Sequence, residues 1–323
     1  MKAIVFSRYG SPDVLGLKEI DKPVAKANEV LIRIRAAAAN PADWRVMRGD
    51  PYVMRMTTGL RKPRKVAVLG SDVAGHVEAV GQDVTRFRPG DEVFAEVDAG
   101  GFAEYIAFPE EVLVHKPTNL TFEQAAAVPM AASTALQALR DPGRIKAGQK
   151  VLIQRRVRRY RDVCLQIAKS FGAEVTGVCS TRNVDLVRSI GADHAIDYTR
   201  EDFTAAATRY DLILDTVGNH SLAAFRRALD PKGTLVVTGG GGGPWLGPLT
   251  QILSAFVSSP FVGQRLVPVF GRRGKDDLQI LRGLIEGGKV TPVIDRTYSL
   301  PEVPDAIRYL ETRHTRGKLV ITV

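Results

Sequence analysis

The second half of the chain alternates short apolar segments with helical segments, and this alternation constrains the fold more than any other feature. Residues 212–214 (Leu-Ile-Leu) and 235–237 (Leu-Val-Val) are apolar on both faces, which is typical of parallel strands covered by helices. We therefore expect an α/β domain with a doubly wound parallel sheet of the Rossmann type. The pattern predicts strands at 150–153, 174–179, 194–197, 211–215 and 234–238, and helices at 163–171, 184–190 and 221–229.

The first part of the chain has the sequence pattern of an all-β region. Val30, Ile32 and Ile34 alternate with Arg33 and Arg35, as in a half-buried strand. Further strands are predicted at 73–80, 92–97 and 103–108, separated by turns rich in proline and glycine.

The texture changes at Thr121, which is a suitable N-cap for a helix reaching about residue 139. Two helices, 276–286 and 303–311, and a strand, 318–323, follow the alternating region, and we expect this tail to pack on the first domain. The predicted domains are residues 1–121 together with 261–323, and residues 122–260.

Composition excludes several classes of protein. No run of residues has the apolar length of a membrane span, and the start of the chain lacks the pattern of a secretory signal. Cys164 and Cys179 are too few for a disulfide framework, which favours a reducing cytoplasm. The net charge of +10 would attract polyanions, but five arginines between residues 155 and 161 form the main basic cluster, and the rest of the charge is spread over the chain apart from a short basic run at 61–65. We therefore expect no membrane partner and do not favour nucleic acid as a partner.

Six short motifs occur in an order that resembles the medium-chain dehydrogenase/reductase superfamily, and within it the zinc-free quinone oxidoreductase (zeta-crystallin-like) branch. The resemblance covers nearly the whole chain and implies a GroES-like β-rich catalytic domain plus a Rossmann domain that binds NADP. The motifs are 40–43 (Asn-Pro-Ala-Asp), 70–75 (Gly-Ser-Asp-Val-Ala-Gly), 87–93 (Phe-Arg-Pro-Gly-Asp-Glu-Val), 101–105 (Gly-Phe-Ala-Glu-Tyr), 125–129 (Ala-Ala-Ala-Val-Pro) and 191–193 (Gly-Ala-Asp).

The positions of the catalytic zinc ligands decide the branch. Zinc-dependent members carry a cysteine and a His-Glu pair there, because zinc prefers thiolate and imidazole ligands. This chain has Asn40 at the first position and residues 70–72 (Gly-Ser-Asp) at the second, and no cysteine precedes Cys164. We expect no catalytic metal.

Without zinc to polarise a carbonyl, the branch typically reduces quinones or activated C=C bonds by hydride transfer, with the protein supplying position and electrostatics. The resemblance places Asn40 and Asp43 beside the nicotinamide, although Asn-Pro is also a common turn opener. Some relatives have a tyrosine two residues after this aspartate, but this chain has Arg45 there, so no proton donor is carried over. Tyr52 is a nearby candidate catalytic residue.

The residues after the second strand of the Rossmann domain favour NADPH over NADH. NAD sites place an acid here for the ribose 2′-hydroxyl, whereas NADP sites place hydroxyls and a cation for the 2′-phosphate. This chain has residues 180–183 (Ser-Thr-Arg-Asn) at that point. The candidate cofactor-binding residues, including those that the resemblance implies, are Thr134, Ser180, Arg182, Asn183, Tyr198, Thr216, Val217, Gly218, Gly239, Gly317 and Lys318.

The loop after the first strand departs from the family, because residues 154–165 contain no glycine. A glycine-rich turn normally lets backbone amides approach the pyrophosphate. One inserted base and one lost base convert a family-like Asn-Gly-Ala-Ser-Gly-Gly-Ile-Gly-Thr-Phe-Ala-Val into the twelve residues present here, for a suitable choice of codons. We hypothesise that a frameshift produced this segment and that the unshifted sequence has glycines at positions 155, 158, 159 and 161.

The acceptor is not determined by the sequence. Trp44, Tyr52 and residues 245–261 are expected to line an apolar pocket for a small carbonyl or quinone substrate. Homodimers are usual in this branch, and the sequence leaves that point open. Two alternative functions also remain: a zinc-independent, NADP-dependent alcohol or aldehyde dehydrogenase, and a non-catalytic nucleic-acid-binding relative.

Overall fold

The structure is a computed structural model of the 323-residue chain, and it describes residues 1–63, 67–154, 158–238, 263–269, 271–312 and 314–323. The described chain forms two compact units. The first unit comprises Met1–Ser133, Arg272–Gly288 and Pro292–Val323, and the second comprises Thr134–Gly271 and Lys289–Thr291.

The chain up to residue 140 is mainly β-structure. Its elements are β1 (Lys2–Phe6), β2 (Gly16–Glu19), β3 (Glu29–Ala39), α1 (Pro41–Arg48), α2 (Arg55–Thr58), β4 (Ala67–Val68), β5 (Asp72–Val80), β6 (Glu92–Glu96), β7 (Tyr105–Pro109), β8 (Val114–His115), α3 (Phe122–Ala126) and α4 (Pro129–Arg140).

Strands and helices then alternate, as the sequence pattern predicts. The elements are β9 (Lys150–Gln154), α5 (Arg158–Ser170), β10 (Glu174–Cys179), α6 (Val184–Ser189), β11 (His194–Asp197), β12 (Tyr210–Asp215), α7 (Leu222–Ala228), β13 (Leu229–Val237) and β14 (Arg265–Pro268). The chain closes with α8 (Lys275–Glu286), β15 (Ile294–Ser299), α9 (Val303–Glu311) and β16 (Lys318–Thr322).

The main sheet of the first unit joins both ends of the chain. Its order is β15-β16-β3-β5-β6-β8, with β7 also paired to β3. The last strand, β16, runs antiparallel to β3, and Leu319 lies opposite Ala39. Ile32 and Ile34 of β3 are buried with Ile307 of α9 in one apolar core. The C-terminal strand therefore lies beside the residues that follow β3.

The sheet of the second unit has the order β11-β10-β9-β12-β13-β14, and all of its strand pairs are parallel. Counted within the unit, this is the order 3-2-1-4-5-6 of a dinucleotide-binding sheet. The predicted fold class, a GroES-like domain plus a doubly wound parallel sheet, is confirmed. The carboxyl ends of β9 and β12 lie side by side at the point where the strand order reverses, which is where such sheets bind ligands.

Some predicted element boundaries are wrong. Thr121 is the N-cap of α3 as predicted, but the helix predicted from residue 122 to about 139 is two helices, because Pro129 has no N–H to continue α3 and instead begins α4. The helix predicted to begin at residue 163 begins at Arg158. None of the helices in the described part of the chain has the length and apolar character needed to cross a lipid bilayer.

Candidate active site

The end of β3 passes directly into α1, and this junction fixes Asn40 and Asp43. Asn40 has an extended backbone and Pro41 begins the helix. The Asn40 N–H donates to Asp43 Oδ2 at 2.6 Å, so the aspartate caps the turn from inside the helix. Both residues are buried. The two predicted catalytic residues are therefore adjacent and held rigidly by the local backbone.

A glycine turn completes the surroundings of Asp43. The Gly70 N–H donates to Asp43 Oδ1 at 3.0 Å. Gly70 has a φ of +96°, and a Cβ there would lie 2.7 Å from the backbone nitrogen of Phe102, so only glycine fits. Burial raises the pKa of Asp43 to about 6, although the Asn40 and Gly70 N–H groups and the charge of Lys318 oppose the rise.

Lys318 brings the two ends of the chain together at one buried polar cluster. Its Nζ donates to Asn40 Oδ1 and to Asp72 Oδ2, each at 2.7 Å. Asn40 Nδ2 donates to the same oxygen of Asp72 at 3.0 Å, and the Met130 N–H donates to Asp72 Oδ1 at 2.9 Å. Asp72 is fully buried and Lys318 is 3% exposed. The Asn40 amide is thus oriented by a buried ion pair.

Asp72 is a member of this cluster that the sequence analysis does not name as a candidate. In the sequence it marks only a departure from the zinc-ligand pattern, although a carboxylate at the start of an otherwise apolar strand is a signal of a paired acid. The two stretches that carry zinc ligands in zinc-dependent relatives are bridged here by the Lys318 ammonium. A hard amide oxygen, a carboxylate and a fixed cation form a poor donor set for zinc. Within the described ranges, no group of three or more His, Cys, Asp or Glu side chains could hold a metal ion.

Tyr52 lies outside this cluster. It is 42% exposed, and the Arg55 guanidinium lies 4.6 Å from its ring centre and 4.7 Å from that of Tyr9. Arg55 also donates to the carbonyl oxygens of Arg48 and Gly49, which ties this segment to the end of α1. No described contact brings Tyr52 to Asn40 or Asp43.

In the second unit, residues 180–183 follow β10 and form a short helical turn. Asn183 Nδ2 donates to Ser180 Oγ at 3.0 Å, while Asn183 Oδ1 is buried and accepts no hydrogen bond from any described residue. Arg182 is exposed. Asp197 accepts hydrogen bonds from Thr181 of this turn and from Thr199, which hold the pKa of its carboxyl below the usual value.

This turn carries hydroxyl groups, an amide and a cation. Asn183 Oδ1 is a buried acceptor without a donor among the described residues, and the Arg182 side chain is exposed. Tyr198, also a candidate cofactor-binding residue, follows β11 and is 57% exposed. The Asp197 carboxyl already accepts hydrogen bonds from Thr181 and Thr199, and the last residue of β10 is not an acid.

The turn after β12 holds Thr216, Val217 and Gly218 at the carboxyl edge of the same sheet. Asp215 Oδ1 accepts the Val217 N–H at 2.9 Å, and Asp215 Oδ2 accepts the Gly218 N–H at 3.1 Å. Gly218 has a φ of +68°, which favours glycine. The Thr216 hydroxyl donates a hydrogen bond to the backbone carbonyl oxygen of Gln154, at the end of β9. The first and fourth strands are thereby joined at the crevice.

The remaining candidates lie in different surroundings. Thr134 is on α4, and a Cβ at Gly271 would lie 3.1 Å from its Oγ1. Gly317 packs on β15, because a Cβ there would lie 2.6 Å from the Val293 carbonyl oxygen. Gly239 and the predicted pocket segment 245–261 lie outside the described residues, as do residues 155–157 of the arginine-rich loop.

Comparison with known proteins agrees with this geometry. Residues 26–118 match the alcohol dehydrogenase GroES-like domain family, and residues 190–321 match the zinc-binding dehydrogenase family. The chain is 36% identical over 339 residues to an NADPH-dependent alkenal/one oxidoreductase, chloroplastic, of Arabidopsis thaliana, covering 99% of this chain and 79% of that protein.

The alignments with two further relatives cover nearly the whole of both proteins. A chloroplast envelope quinone oxidoreductase homolog of Arabidopsis thaliana is 30% identical, with 99% of this chain and 98% of that protein covered. The solved structure of the quinone oxidoreductase from Coxiella burnetii superposes with a TM-score of 0.85 at 30% identity, covering 100% of this chain and 99% of that one.

A GroES-like unit, a dinucleotide-binding sheet and a buried Asn-Lys-Asp cluster at the expected catalytic junction together define an NAD(P)H-dependent oxidoreductase. The chain belongs to the medium-chain dehydrogenase/reductase superfamily, in the branch of the quinone oxidoreductases and alkenal reductases. The predicted resemblance to this superfamily is confirmed.

Proposed function

We propose that this protein uses NADPH to reduce the activated C=C bond of an enone, or a quinone, by hydride transfer without a metal ion. The observation that carries the proposal is the Lys318 ammonium held between Asn40 and Asp72, at the junction where zinc-dependent relatives carry their ligands. The names of the relatives, an alkenal/one oxidoreductase and a quinone oxidoreductase homolog, support the same acceptor class.

The choice of acceptor follows from the electrostatics of the cluster. A simple aldehyde or ketone concentrates the incoming charge on one oxygen, which then needs a metal ion or a strong hydrogen-bond or proton donor as the hydride arrives. The Lys318 ammonium is engaged with Asn40 and Asp72, so it supplies little of that polarisation. An enone or quinone spreads the incoming charge over its own conjugated system, and hydrogen bonds and correct positioning then suffice.

The preference for NADPH rests on the turn after β10. Ser180 and Arg182 offer a hydroxyl and a cation, and Asn183 offers a buried acceptor without a partner among the described residues. When bound, the cofactor supplies the hydride, and these side chains hold its adenosine end. The residues of this chain then orient the acceptor, exclude water from the Asn40 cluster and deliver a proton.

A panel assay tests the proposal. NADPH oxidation is followed with enones and quinones, and NADP reduction with simple alcohols, using NADH and NAD as parallel cofactors. We expect turnover with enones or quinones, a preference for NADPH, and activity that survives a metal chelator. Turnover confined to alcohols and aldehydes, or activity abolished by the chelator and restored by zinc, would contradict the proposal. Light scattering on the same sample tests the homodimer that is usual in this branch.

A further inference from the structure

Glu96, the last residue of β6, lies directly opposite Asp72 of β5 in the antiparallel register. Residues that face each other in this way project from the same side of the sheet, with Cβ atoms about 4.5 to 5.5 Å apart. Asp72 is fully buried, whereas Glu96 is partly exposed. The sheet thus sets two carboxyl groups side by side, one reachable by water and one not.

The neighbouring strands extend this arrangement. Ala38 lies opposite Asp72, and Val320 lies opposite Ala38, so the four strands β16, β3, β5 and β6 present these positions on one face. Lys318 is two residues before Val320 and therefore shares that face. Its ammonium contacts Asp72 directly.

Neither Lys318 nor Arg273, the described cations near Glu96, forms an ion pair with it. Lys318 is hydrogen bonded to Asp72 and Asn40, and Arg273, the other cation near Glu96, forms an ion pair with Asp98. Among the described residues the Glu96 carboxyl makes no hydrogen bond or ion pair. Burial and the charge of Asp72 raise the pKa of Glu96 to about 7, with Arg273 and Lys318 opposing the rise.

Reduction of an enone or quinone needs a proton as well as a hydride, and the family tyrosine is replaced here by Arg45. Asp43 is 3% exposed and both of its oxygens accept backbone N–H groups. Lys318 is 3% exposed and holds Asn40 and Asp72. Glu96 differs from both, because it is open to water for reloading and its carboxyl has no competing partner among the described residues.

We propose that Glu96 is the general acid that supplies this proton, an inference that rests on the proposed function. The Glu96 O–H bond breaks while a C–H or O–H bond forms on the acceptor, which has already received the hydride and its electron pair from the cofactor. Glu96 is left as a carboxylate beside Asp72. Water then returns a proton to Glu96, so each turnover consumes one hydride from the cofactor and one proton from solvent.

The kinetic test compares Glu96→Gln and Glu96→Asp with Glu78→Gln. Glu78 is an exposed acid on β5, paired with Lys22, and serves as the matched control. We expect Glu96→Gln to lower kcat for an enone about 100-fold, within the usual contribution of general acid catalysis. The dissociation constant for NADPH should change little, and Glu96→Asp should recover part of kcat. Wild-type kcat should fall as the pH rises above about 7, and Glu96→Gln should lack that decline. An unaltered kcat and pH profile in Glu96→Gln would overturn the inference.

A second test does not require turnover. Carboxyl ¹³C NMR of the protein without cofactor identifies the Glu96 signal by its loss in Glu96→Gln. We expect a titration midpoint near 7, and a midpoint near the ordinary value of 4.5 would overturn the inference. Asp72→Asn should lower the midpoint because it removes the adjacent negative charge. If that variant does not fold, the comparison of wild type with Glu96→Gln still decides the result.

The two proposals fail in different ways. If neither this chain nor its variant with glycines restored in residues 154–165 oxidises NADPH with enones or quinones, the proposed function is refuted, and the general acid then has no reaction to serve. A wild-type protein that turns over normally, with Glu96→Gln equally active, refutes only the role of Glu96.

Discussion

The ammonium of Lys318 lies 2.7 Å from Asp72 Oδ2, which joins the last strand of the chain to a residue 246 positions earlier. The pair is almost inaccessible to solvent, and Asn40 bonds to both members. The orientation of the Asn40 amide therefore depends on the C-terminal strand being in place. Stability of the first unit and order at the candidate site are coupled through these contacts.

We expect Lys318→Met to destabilise the protein strongly. It leaves the fully buried Asp72 carboxylate without its cation, and removing one partner of a buried ion pair costs about 3 to 5 kcal/mol. The measurement is the free energy of unfolding in urea, with far-ultraviolet circular dichroism as the signal. Because the two units can unfold separately, tryptophan fluorescence is recorded in parallel.

Lys22→Met is the matched control, since its ion pair with Glu78 is exposed and solvent screens it. Its unfolding midpoint should stay close to that of the wild type. The double variant Asp72→Asn with Lys318→Met should recover part of the loss, because no buried charge is then left alone. Equal unfolding curves for Lys318→Met and Lys22→Met would contradict the prediction.

Asp43 should make stability fall as the pH rises from about 4 to about 6. Its pKa is raised from 3.8 to about 6 in the folded protein, so in this window the folded state holds a proton that the unfolded state has released. The loss levels off about one pH unit above 6 and amounts to roughly 3 kcal/mol. The difference in unfolding free energy between wild type and Asp43→Asn, measured across this window, isolates the effect.

Asp13→Asn gives the contrast. The hydrogen bond from Arg308 lowers the pKa of Asp13, so this group stabilises the folded state at higher pH and loses its effect as the pH falls. The difference for Asp13→Asn should therefore stay nearly constant from pH 4 to 7 and change only below about pH 4, with a slope opposite to that for Asp43→Asn. A difference for Asp43→Asn that does not vary between pH 4 and 7 would show that the Asn40 and Gly70 N–H groups outweigh burial.

The sequence predicted the second unit well for a physical reason. β10 occupies its predicted bounds and β12 differs from them by one residue, because both strands are buried on both faces and carry mostly apolar residues. The short edge strands β14 and β15 were not predicted, because a few half-exposed residues carry no such signal. Pro129 ended one helix and began another, although the alanine-rich composition on both sides reads as a single helix.

The candidate site was only partly predictable. Asn40 and Asp43 are three residues apart, so a local turn pattern shows that they meet. The contact of Lys318 with Asp72, and the position of Glu96 opposite Asp72, depend on strand register between distant segments. A single chain offers no local signal for such register, and Glu96 was therefore missed altogether.

Arg182→Ala should weaken NADPH binding roughly tenfold and leave NADH binding almost unchanged, because only NADPH carries the 2′-phosphate that a cation would hold. Fluorescence titration of each reduced cofactor provides the measurement. Arg188→Ala is the control, since Arg188 is an exposed arginine in α6 just beyond this turn. Equal losses for the two cofactors, or equal losses in the two variants, would refute the assignment.

Restoring the glycines of residues 154–165 should strengthen NADPH binding about 100-fold or more. Helix α5 begins at Arg158, directly after β9, at the place where a dinucleotide-binding sheet receives a pyrophosphate. The variant carries Asn-Gly-Ala-Ser-Gly-Gly-Ile-Gly-Thr-Phe-Ala-Val in this segment. Isothermal titration of both proteins with NADPH measures the change, and low-micromolar binding by the arginine-bearing chain would contradict the prediction.

Binding is a sharper readout here than stability, because two effects on stability oppose each other. Arginines in the first turn act against the positive end of the α5 dipole at about 0.3 to 1 kcal/mol each, whereas glycines in a helix cost about 1 kcal/mol each relative to alanine. The two effects partly cancel, so stability reports the exchange poorly, whereas NADPH affinity reports the shape of the loop directly. Resequencing of the gene and the intact mass of the natural protein decide whether the arginines belong to it. If the given sequence contains a frameshift error, the measured mass should be that of the glycine-bearing chain.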